Sequence, residues 1–464
     1  MPFKPIFLAT DALLWLLVAA AAAYAWYCSR HEHLAVQWAR VFRSPAAIGS
    51  AVVLGVYLLI ALADSLHYRP ALEQKDPTVP VAYAVEVRSL LDVAASHLRG
   101  RTEKTYSAPL ATRSFAKEQI ERDDGKVERD FPRLRFGGAH LKDEAGRAGD
   151  IATKALFGFI AAAVAWGLVA LAFRPLRRRF PDVPWHAALA ALAAILALAG
   201  PALWLSGTYH VLGTDKVGLD VLYLSLKSIR TSIVIGTITT LVLLPLGVGL
   251  GIMAGYFRRW VDDLIQYIYT TLNSIPDVLL IVAAVLMLQV FLDKNADWFT
   301  TGAQRADMRL LCLCAILGLT SWTGLARLLR GESLKLSELD YIQAAHAFGV
   351  SDARILTRHI LPNVTHIVII TLVLDFSSFV LAEAVLSYIG VGVDPSTNSF
   401  GTMINAARLE MARDPMVWWS LAAAFAFMLV LVLAANLLAD AVRDGFDPRV
   451  RVGGAVLVAA APKA

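Results

Sequence analysis

Nine apolar stretches, each close to the length of a membrane-spanning helix, constrain this chain more than any other feature of its sequence. A helix needs about 20 apolar residues to cross the hydrocarbon core of a bilayer. Hydrophobic residues make up 57% of the chain and charged residues only 17%, whereas soluble domains carry roughly 25% charged residues. We therefore predict an all-α integral membrane protein with about nine transmembrane helices, near residues 7–27, 47–63, 153–173, 187–205, 229–255, 270–291, 309–326, 364–388 and 417–439.

The distribution of lysine and arginine predicts how these helices are oriented. Short cytoplasmic loops carry more of these residues than loops on the other side, and nine spans with an external N-terminus place the basic loops inside. The cluster Arg174–Arg179 is the strongest single anchor of this orientation. The first apolar run is longer than the roughly 7–15 residues of a signal-peptide core. We therefore expect an uncleaved first helix, an N-terminus outside and a C-terminus in the cytoplasm.

Residues 64–150 differ in composition from the apolar runs around them. This segment holds 15 acidic and 15 basic residues, and it exceeds the loop length of about 60 residues over which positive charge controls orientation. The spacing of its apolar residues between Val85 and Leu98 predicts at least one amphipathic helix. A solvated loop or a small cap explains the segment more simply than a docking surface for an external partner, since nothing in it resembles a site.

The sequence contains no pattern for catalysis or for a bound metal. It has no Gly-x-x-x-x-Gly-Lys-[Ser/Thr] phosphate loop, no His-Glu-x-x-His helix and no Gly-x-Ser-x-Gly elbow. Cys312 and Cys314 lie in an apolar run, which argues against a zinc site. Membrane helices flank the basic cluster at 174–179, which argues against nucleic acid as a partner. We therefore predict a transport, signalling or scaffolding protein rather than an enzyme, with no cofactor or metal bound by this chain.

The polar stretch 327–363 has an ordered pattern that is unusual for a loop between membrane helices. Gly349 can adopt the left-handed conformation that ends a helix, and Ser351 or Asp352 can cap the next helix. Pro362 then predicts a stop. Small side chains before Gly349 leave a surface that another protein can approach closely, and arginines flank the second helix.

This stretch resembles the EAA loop of bacterial ABC importer permeases. The family pattern is Glu-Ala-Ala, three residues, Gly, nine residues and Ile/His-x-Leu-Pro, and it is matched by Gln343-Ala344-Ala345, Gly349 and Ile360-Leu361-Pro362. Gln343 stands where the family has glutamate, which puts a salt bridge there in doubt and leaves amide hydrogen bonding. In the family this loop is the coupling helix, seated in a groove of a cytoplasmic ATPase, so the resemblance implies the same role here. The implied coupling-loop residues are Gln343, Ala344, Ala345, Gly349, Ser351, Asp352, Arg354, Arg358, Leu361 and Pro362.

The resemblance extends beyond this loop, over about 206–452 together with 37–63. The matching elements are typical of the dipeptide/oligopeptide and nickel permease subfamily (DppC/OppC-like). They are Trp38-Ala39-Arg40 with Pro45, Leu212-Gly213-Thr214-Asp215 with Gly218 and Asp220, Gly255-Tyr256, Asn273-Ser274-Ile275-Pro276, the stretch 381–392 and the ending Asp447-Pro448-Arg449.

This resemblance implies a division of the chain into five parts. They are the N-terminal spans and basic arm at 1–63, an extracytoplasmic charged insert at 64–150, two extra spans with a basic cytoplasmic linker at 151–205, the ABC permease core at 206–452 with its coupling loop at 327–363, and a C-terminal tail at 453–464.

The resemblance also implies a function and a set of partners. The chain is expected to be one permease subunit of an importer in the bacterial cytoplasmic (inner) membrane, moving di- or oligopeptides or related small solutes. The implied partners are a second homologous permease subunit, two cytoplasmic ABC ATPase subunits that hold ATP and Mg, and an extracytoplasmic substrate-binding protein. Other interpretations are a nickel or other-solute importer subunit of the same family, a secondary transporter or channel that works without an ATPase, and a membrane sensor or scaffold.

Two acidic residues fall inside a predicted span, where a charged side chain costs about 2.5–3.5 kcal/mol on insertion scales. Asp375 is a candidate for the translocation path, with a structural hydrogen bond as the alternative. Glu383 is a second candidate, and its position near the outer end of the span predicts that it reaches water. The resemblance further implies that Arg408 and Glu410, in a short amphipathic helix at 402–412, contact the substrate-binding protein.

Overall fold

The computed structural model describes residues 3–72, 83–121, 127–141 and 143–446. The matched ending Asp447-Pro448-Arg449 and the tail 453–464 lie outside the described residues. The helices, in chain order, are α1 Ala9–Arg30, α2 Glu32–Val41, α3 Pro45–Asp64, α4 Leu90–Ala94, α5 Ser96–Arg99, α6 Arg147–Ala172, α7 Arg174–Arg179, α8 Trp185–Leu205, α9 Val221–Phe257, α10 Arg259–Asn273, α11 Asp277–Lys294, α12 Gly302–Ser321, α13 Thr323–Ser337, α14 Asp340–Ala347, α15 Asp352–Ile355, α16 Leu361–Ile389, α17 Phe400–Arg408 and α18 Trp419–Phe446. The short strands are β1 Phe3–Ile6, β2 His67–Pro70, β3 Arg88–Ser89, β4 Glu118–Glu121 and β5 Val127–Asp130.

The long helices confirm the prediction of an all-α multi-pass membrane protein. In the described part of the chain, eight helical segments are long and apolar enough to cross a membrane, and the bent pair α10–α11 raises the number to nine. Two of these segments run through short irregularities, since Gly302–Ser337 combines α12 with α13 and Asp352–Ile389 combines α15 with α16. The nine segments coincide with the nine apolar runs of the sequence.

The predicted span at 270–291 is divided by a sharp bend between two helices. Helix α10 ends at Asn273, α11 begins at Asp277, and the two axes meet at an angle of 86°. Pro276 explains the break, because proline has no amide hydrogen to donate and its ring disfavours helical backbone at Ile275. The break falls on the polar residues Asn273 and Ser274 and on Asp277, which the averaged hydropathy of the longer run obscures.

The first and last described residues, Phe3 and Phe446, lie at opposite ends of the helix bundle. Strand β1 pairs antiparallel with β2, with Phe3 opposite Pro70, and β2 pairs with β3. Strand β1 is therefore at the end that carries the described part of residues 64–150, called here the insert end. The last turn of α18 packs on α2, where the rings of Phe446 and Trp38 are 5.4 Å apart. This opposite end, which also carries residues 338–360, is called the loop end.

Helix α9 is the central element, and α3, α12, α13 and α16 all pack on it. The spacing of Gly247, Gly251 and Gly255 predicts a close helix contact, either within the chain or with a partner. The structure shows that the contact is internal, with α13. A Cβ atom on Gly251 would lie 2.7 Å from the carbonyl oxygen of Ala326, and one on Gly255 would lie 2.6 Å from that of Arg330.

The insert is a cap on the core rather than a solvated loop. Its helices α4 and α5 bury Leu91 and Leu98, and Tyr106 is buried against the insert end of the core. Gly218 adopts a φ of +80°, and a side chain there would overlap the backbone of Glu103. The amide of Glu103 donates a hydrogen bond to the carbonyl oxygen of Gly218 at 3.0 Å. The glycine of this turn is therefore required by the close approach of the insert backbone.

A buried histidine between two carboxylates fixes the same contact. Nδ1 of His210 lies 2.8 Å from Asp220 Oδ2, and its Nε2 lies 3.4 Å from Oε1 of Glu103 in the insert. Burial alone would lower the pKa of His210, but the carboxylates of Asp220 and Glu103 outweigh it and raise that pKa to about 9. Burial alone would raise the pKa of Glu103, but His210 and three backbone amides lower it to about 2.

We expect Gly251→Leu to destabilise the protein by about 1–3 kcal/mol, because the new side chain is forced into the backbone of α13. Gly249→Leu is the matched control, since it lies on the same helix and a Cβ there meets nothing within 4 Å. The measurement is the thermal unfolding midpoint of the purified chain in detergent. Equal midpoints for the two variants would contradict the internal packing of this glycine stripe.

The His210 contact predicts a pH-dependent stability. A histidine whose folded pKa is raised stabilises the folded state below its ordinary pKa of 6.5, and that stabilisation is lost as the pH rises through about 9. The unfolding midpoint of the native chain is therefore expected to fall across this window, and His210→Gln is expected to flatten the fall. The exposed His346→Gln is the control, and it should retain the native slope. A native slope in His210→Gln would contradict a charged His210.

Candidate functional site at the loop end

The stretch predicted to dock a partner forms a short helix that ends at a left-handed glycine. Helix α14 begins at Asp340 and ends at Ala347, and Gly349 follows with a φ of +76°. The amide of Val350 donates to the carbonyl oxygen of Ala345 at 3.1 Å, and the amide of Gly349 donates to that of His346 at 3.0 Å. These bonds satisfy the carbonyl groups at the helix end. The predicted role of Gly349 as a helix terminator is confirmed.

The predicted stop at Pro362 is wrong. Helix α15 covers Asp352–Ile355, a π-helical turn follows at Leu356–Ile360, and α16 begins at Leu361. Pro362 therefore lies in the first turn of α16, where a residue needs no amide hydrogen for helix bonding. The chain from Asp352 to Ile389 is a nearly continuous helical segment of 38 residues.

Buried apolar side chains attach the surface formed by α14, Phe348 and α15 to the core. Ile342, Ile355 and Ile360 are buried, and Leu356 is half-buried, so these side chains form the apolar face of the two short helical segments. Ser351 occupies the N-cap position of α15 without a side-chain capping bond. The side chain of Asp352 makes a contact other than the predicted capping bond: its Oδ1 accepts a hydrogen bond of 2.7 Å from the Tyr256 hydroxyl.

Two arginines connect the surface to the helices behind it. The guanidinium of Arg258, at the end of α9, donates to Ser337 Oγ at 2.9 Å and also pairs with Glu338. Arg330 of α13 donates to both carboxylate oxygens of Asp262 in α10, at 2.6 and 2.7 Å. Such bidentate pairs fix orientation as well as distance. These bonds hold α9, α10 and α13 together directly behind the surface formed by α14 and α15.

The solvent face of this surface carries the remaining predicted contact residues. The side chain of Gln343 uses its amide as expected, since Nε2 donates to the carbonyl oxygen of Glu338 at 3.2 Å. Ala345 is half-buried beneath the helix. The exposed predicted residues are Gln343, Ala344, Gly349, Ser351, Asp352, Arg354, Arg358, Leu361 and Pro362.

Sequence reasoning missed Phe348, the most exposed large apolar residue in the described chain. Its side chain is 87% exposed at the tip of α14. Large aromatic side chains that protrude from a surface are typical anchors of protein interfaces. Its position directly before the helix-ending glycine of a polar loop was the available signal. Beside it, a groove of about 490 Å³ runs between α14 and the end of α9, lined by Tyr256, Phe257, Arg258, Ser337, Glu338, Ile342, Gln343, His346 and Asp352.

The groove beside α14 is lined by side chains of mixed character. Aromatic, guanidinium, amide and carboxylate groups meet there with His346, and such groups make contacts and hydrogen bonds with another molecule. Within the described ranges, no three His, Cys, Asp or Glu side chains are arranged to hold a metal ion.

The two predicted residues of the translocation path have different environments. Asp375 is half-buried in α16, and no hydrogen bond or ion pair joins it to any described residue. Glu383 is only 1% exposed, and its Oε1 accepts hydrogen bonds from Ser387 at 2.6 Å and Ser399 at 2.9 Å. The expectation that Glu383 reaches water is wrong, because α17 and its capping residue Ser399 cover it.

The two predicted binding-protein contacts lie at the insert end and are partly engaged within the chain. Arg408, at the end of α17, is exposed and donates to the carbonyl oxygen of Tyr388 at 3.0 Å. Glu410 pairs with Arg413 at 3.0 Å. Tyr106 of the insert lies beside it, and burial together with Glu410 raises the pKa of Tyr106. Of the two, only Arg408 remains exposed.

Residues 247–452, which include this whole surface, match the family described as binding-protein-dependent transport system inner membrane component. A glutathione transport system permease protein of Pectobacterium atrosepticum is 33% identical over 242 residues, which are 52% of this chain and 73% of the relative. An oligopeptide transport system permease protein of Mycobacterium tuberculosis is 31% identical over 53% of this chain and 78% of its own length. A dipeptide transport system permease protein of Lactococcus lactis subsp. cremoris is 30% identical over 52% of this chain and 64% of its own length.

The chain belongs to this family. It is a multi-pass permease component of a binding-protein-dependent ABC transport system of the inner membrane. The resemblance to dipeptide and oligopeptide permeases that the sequence motifs carried is thereby confirmed. The matched region starts at residue 247, so α1, the insert and the α6–α8 hairpin lie outside it.

The Tyr256–Asp352 hydrogen bond predicts that α9 holds the docking surface in position. Tyr256→Phe removes one hydrogen bond, worth about 0.5–1.5 kcal/mol, and is expected to speed amide hydrogen exchange in residues 350–356. Tyr267→Phe is the matched control, since the Tyr267 side chain is 71% exposed and its hydroxyl bonds to no described residue. Unchanged exchange in Tyr256→Phe would show that the apolar seat alone fixes α15.

Proposed function

We propose that this chain is one permease subunit of an ATP-driven importer that moves di- or oligopeptides or related small solutes into the cytoplasm. The exposed Phe348 at the tip of the α14 surface carries this proposal, together with the matching loop pattern from Gln343 to Pro362. The names of the relatives support the cargo class, since those proteins are permeases for glutathione, oligopeptides and dipeptides. This chain itself is not an enzyme, and ATP hydrolysis takes place in partner subunits.

The proposed assembly has a second homologous permease subunit, two ATPase subunits at the loop end and a substrate-binding protein at the insert end. The loop end then faces the cytoplasm, and the N-terminus and insert lie outside. The basic residues Arg174–Arg179, Arg258 and Arg354 support this orientation, because positive charge is enriched in cytoplasmic loops. Neither ATP nor Mg is bound by this chain in the proposal.

The geometry provides a direct mechanical route from the ATPase to the membrane interior. Residues 352–389 form one segment of 38 residues, which corresponds to about 57 Å of helix. A displacement of α14 and α15 by closing ATPases therefore moves α16 as a rigid rod. The Arg330–Asp262 pair transmits the same displacement to α10. The result is a rigid-body switch between outward and inward openings.

Asp375 is proposed to line the path between the two permease subunits. A half-buried carboxylate in a span, without a hydrogen bond or ion pair to any described residue, is stabilised when it faces water or a polar solute. Glu383 serves instead as a structural acceptor that attaches the α17 segment to α16. We therefore assign the path role to Asp375 and not to Glu383.

The docking role is tested with the double variant Ala344→Arg and Phe348→Asp. Both side chains are exposed, so the fold is expected to survive while an apolar contact is replaced by charges. We expect loss of co-purification with the partner ATPases and at least a tenfold loss of ATP-dependent dipeptide uptake in proteoliposomes, which corresponds to about 1.4 kcal/mol.

Leu409→Asp is the matched control, because Leu409 is 72% exposed at the insert end and lies far from the ATPases. It should leave co-purification intact. Normal ATPase binding by the double variant contradicts the docking proposal. ATP-independent uptake by the purified chain would instead favour a secondary transporter or channel, and uptake of nickel but not of peptides would reassign the cargo.

A further inference from the structure

The α6–α8 hairpin lies outside the matched region and presents most of its surface to the surroundings. Its two helices pack closely on each other, since a Cβ on Gly200 would lie 2.6 Å from the carbonyl oxygen of Gly158. In the most apolar stretch of each helix, only 11% of the residues of α6 and 6% of those of α8 are buried within the chain. In a membrane these exposed apolar faces contact lipid. Lipid therefore lies next to the residues that join α6 to α8.

At the loop end of the hairpin, α7 arranges three arginines around a cavity. Arg174, Arg177 and Arg178 border a space of about 540 Å³, which is completed by Pro181, Val183, Trp185 and His186. No acidic side chain lines this space. Among the described residues, none of the three guanidinium groups forms a salt bridge. The cavity is thus bordered by positive charge that no group of the described chain neutralises.

The segment that joins α6 to α8 contains one carboxylate, and it pairs with a residue outside the cavity. Asp182 is the only acidic residue between Phe173 and His186, and it pairs with Arg43, before α3, at 2.7 Å. The pair joins the linker to the N-terminal part of the chain and leaves the three arginines without a counter-ion. The fourth arginine, Arg179, lies over the ring of Phe180 at 5.8 Å rather than in the cavity lining.

Aromatic and apolar side chains border the cavity on the hairpin side. The indole Nε1 of Trp185 donates to the carbonyl oxygen of Phe180 at 2.9 Å, which closes the linker. The rings of Trp185 and Phe173 are 5.9 Å apart. Phe173, Leu176 and Phe180 are exposed beside the arginines. Tryptophan, present here as Trp185, is enriched at the headgroup level of a bilayer.

We propose that this cavity binds the phosphate headgroup of an anionic phospholipid. Guanidinium groups match phosphate oxygens in planar, bidentate pairs, and basic pockets between membrane helices bind anionic headgroups. The acyl chains then lie along the exposed apolar face of α6 and α8. An orientation signal needs only positive charge, whereas here the charge borders a formed cavity from which the local carboxylate is excluded. The proposal rests on the membrane placement of the chain and not on its transport role.

The test is native mass spectrometry of the full-length chain, titrated with short-chain phosphatidylglycerol and with phosphatidylcholine of equal chain length. We expect the native chain to bind the anionic lipid more tightly than the neutral one. The variant Arg174→Gln, Arg177→Gln, Arg178→Gln should weaken phosphatidylglycerol binding by at least about tenfold, given the contribution of each basic residue near an anionic headgroup. Its unfolding midpoint in detergent should remain near the native value.

The matched control changes three exposed arginines at the insert end, Arg129→Gln, Arg133→Gln and Arg135→Gln, and should retain native lipid binding. Native binding by the α7 variant, or equal binding of both lipids by the native chain, would overturn the proposal. Full displacement of phosphatidylglycerol by an equal concentration of glycerol phosphate would also overturn it, in favour of a soluble phosphate ester. Each readout is independent of ATPase partners and of uptake.

Discussion

A buried arginine and a half-buried lysine on α9 need acidic partners, and the rest of the structure depends on how those partners are supplied. Lys227 pairs with Asp64 at 2.6 Å and with Asp92 at 3.1 Å, and Nε of Arg230 donates to Asp11 at 2.9 Å. A buried charge without a partner costs about 3–5 kcal/mol. Asp11 comes from α1, and Asp64 and Asp92 come from the end of α3 and from the insert. The N-terminal segments are therefore electrostatic parts of the core, although they lie outside the family match.

This anchoring gives α9 two functionally different ends. At the insert end it is fixed by ion pairs and by the His210 contact with Glu103. At the loop end the glycine stripe brings α13 against it, and Tyr256 holds the first residue of the segment that continues into α16. In the proposed assembly the loop-end surface receives force from the ATPases, so its attachment has to be rigid. The attachment is α9, whose other end is fixed by the insert.

Local chemistry explains which parts of the candidate site were predictable. Gly349 was identified as a helix terminator because only glycine readily ends a helix in the left-handed conformation. The predicted helix stop at Pro362 was wrong, since proline is as compatible with the first turn of a helix as with its end. The prediction that Glu383 reaches water was wrong because Ser399, whose hydroxyl donates to it, lies 16 residues away, beyond any local pattern. Phe348 was missed because its exposure depends on how α14 sits on α9.

The sequence by itself determined the all-α membrane class, the approximate number of spans and the family, because hydropathy and motif spacing are local properties. Only the tertiary structure decided which charges pair, where the glycine stripe packs and how α10 and α11 bend by 86°. It also decided that the arginines at 174–178 border a cavity while Asp182 turns to Arg43. Such pairings join residues more than a hundred positions apart, and their energies depend on burial, which the linear sequence does not contain.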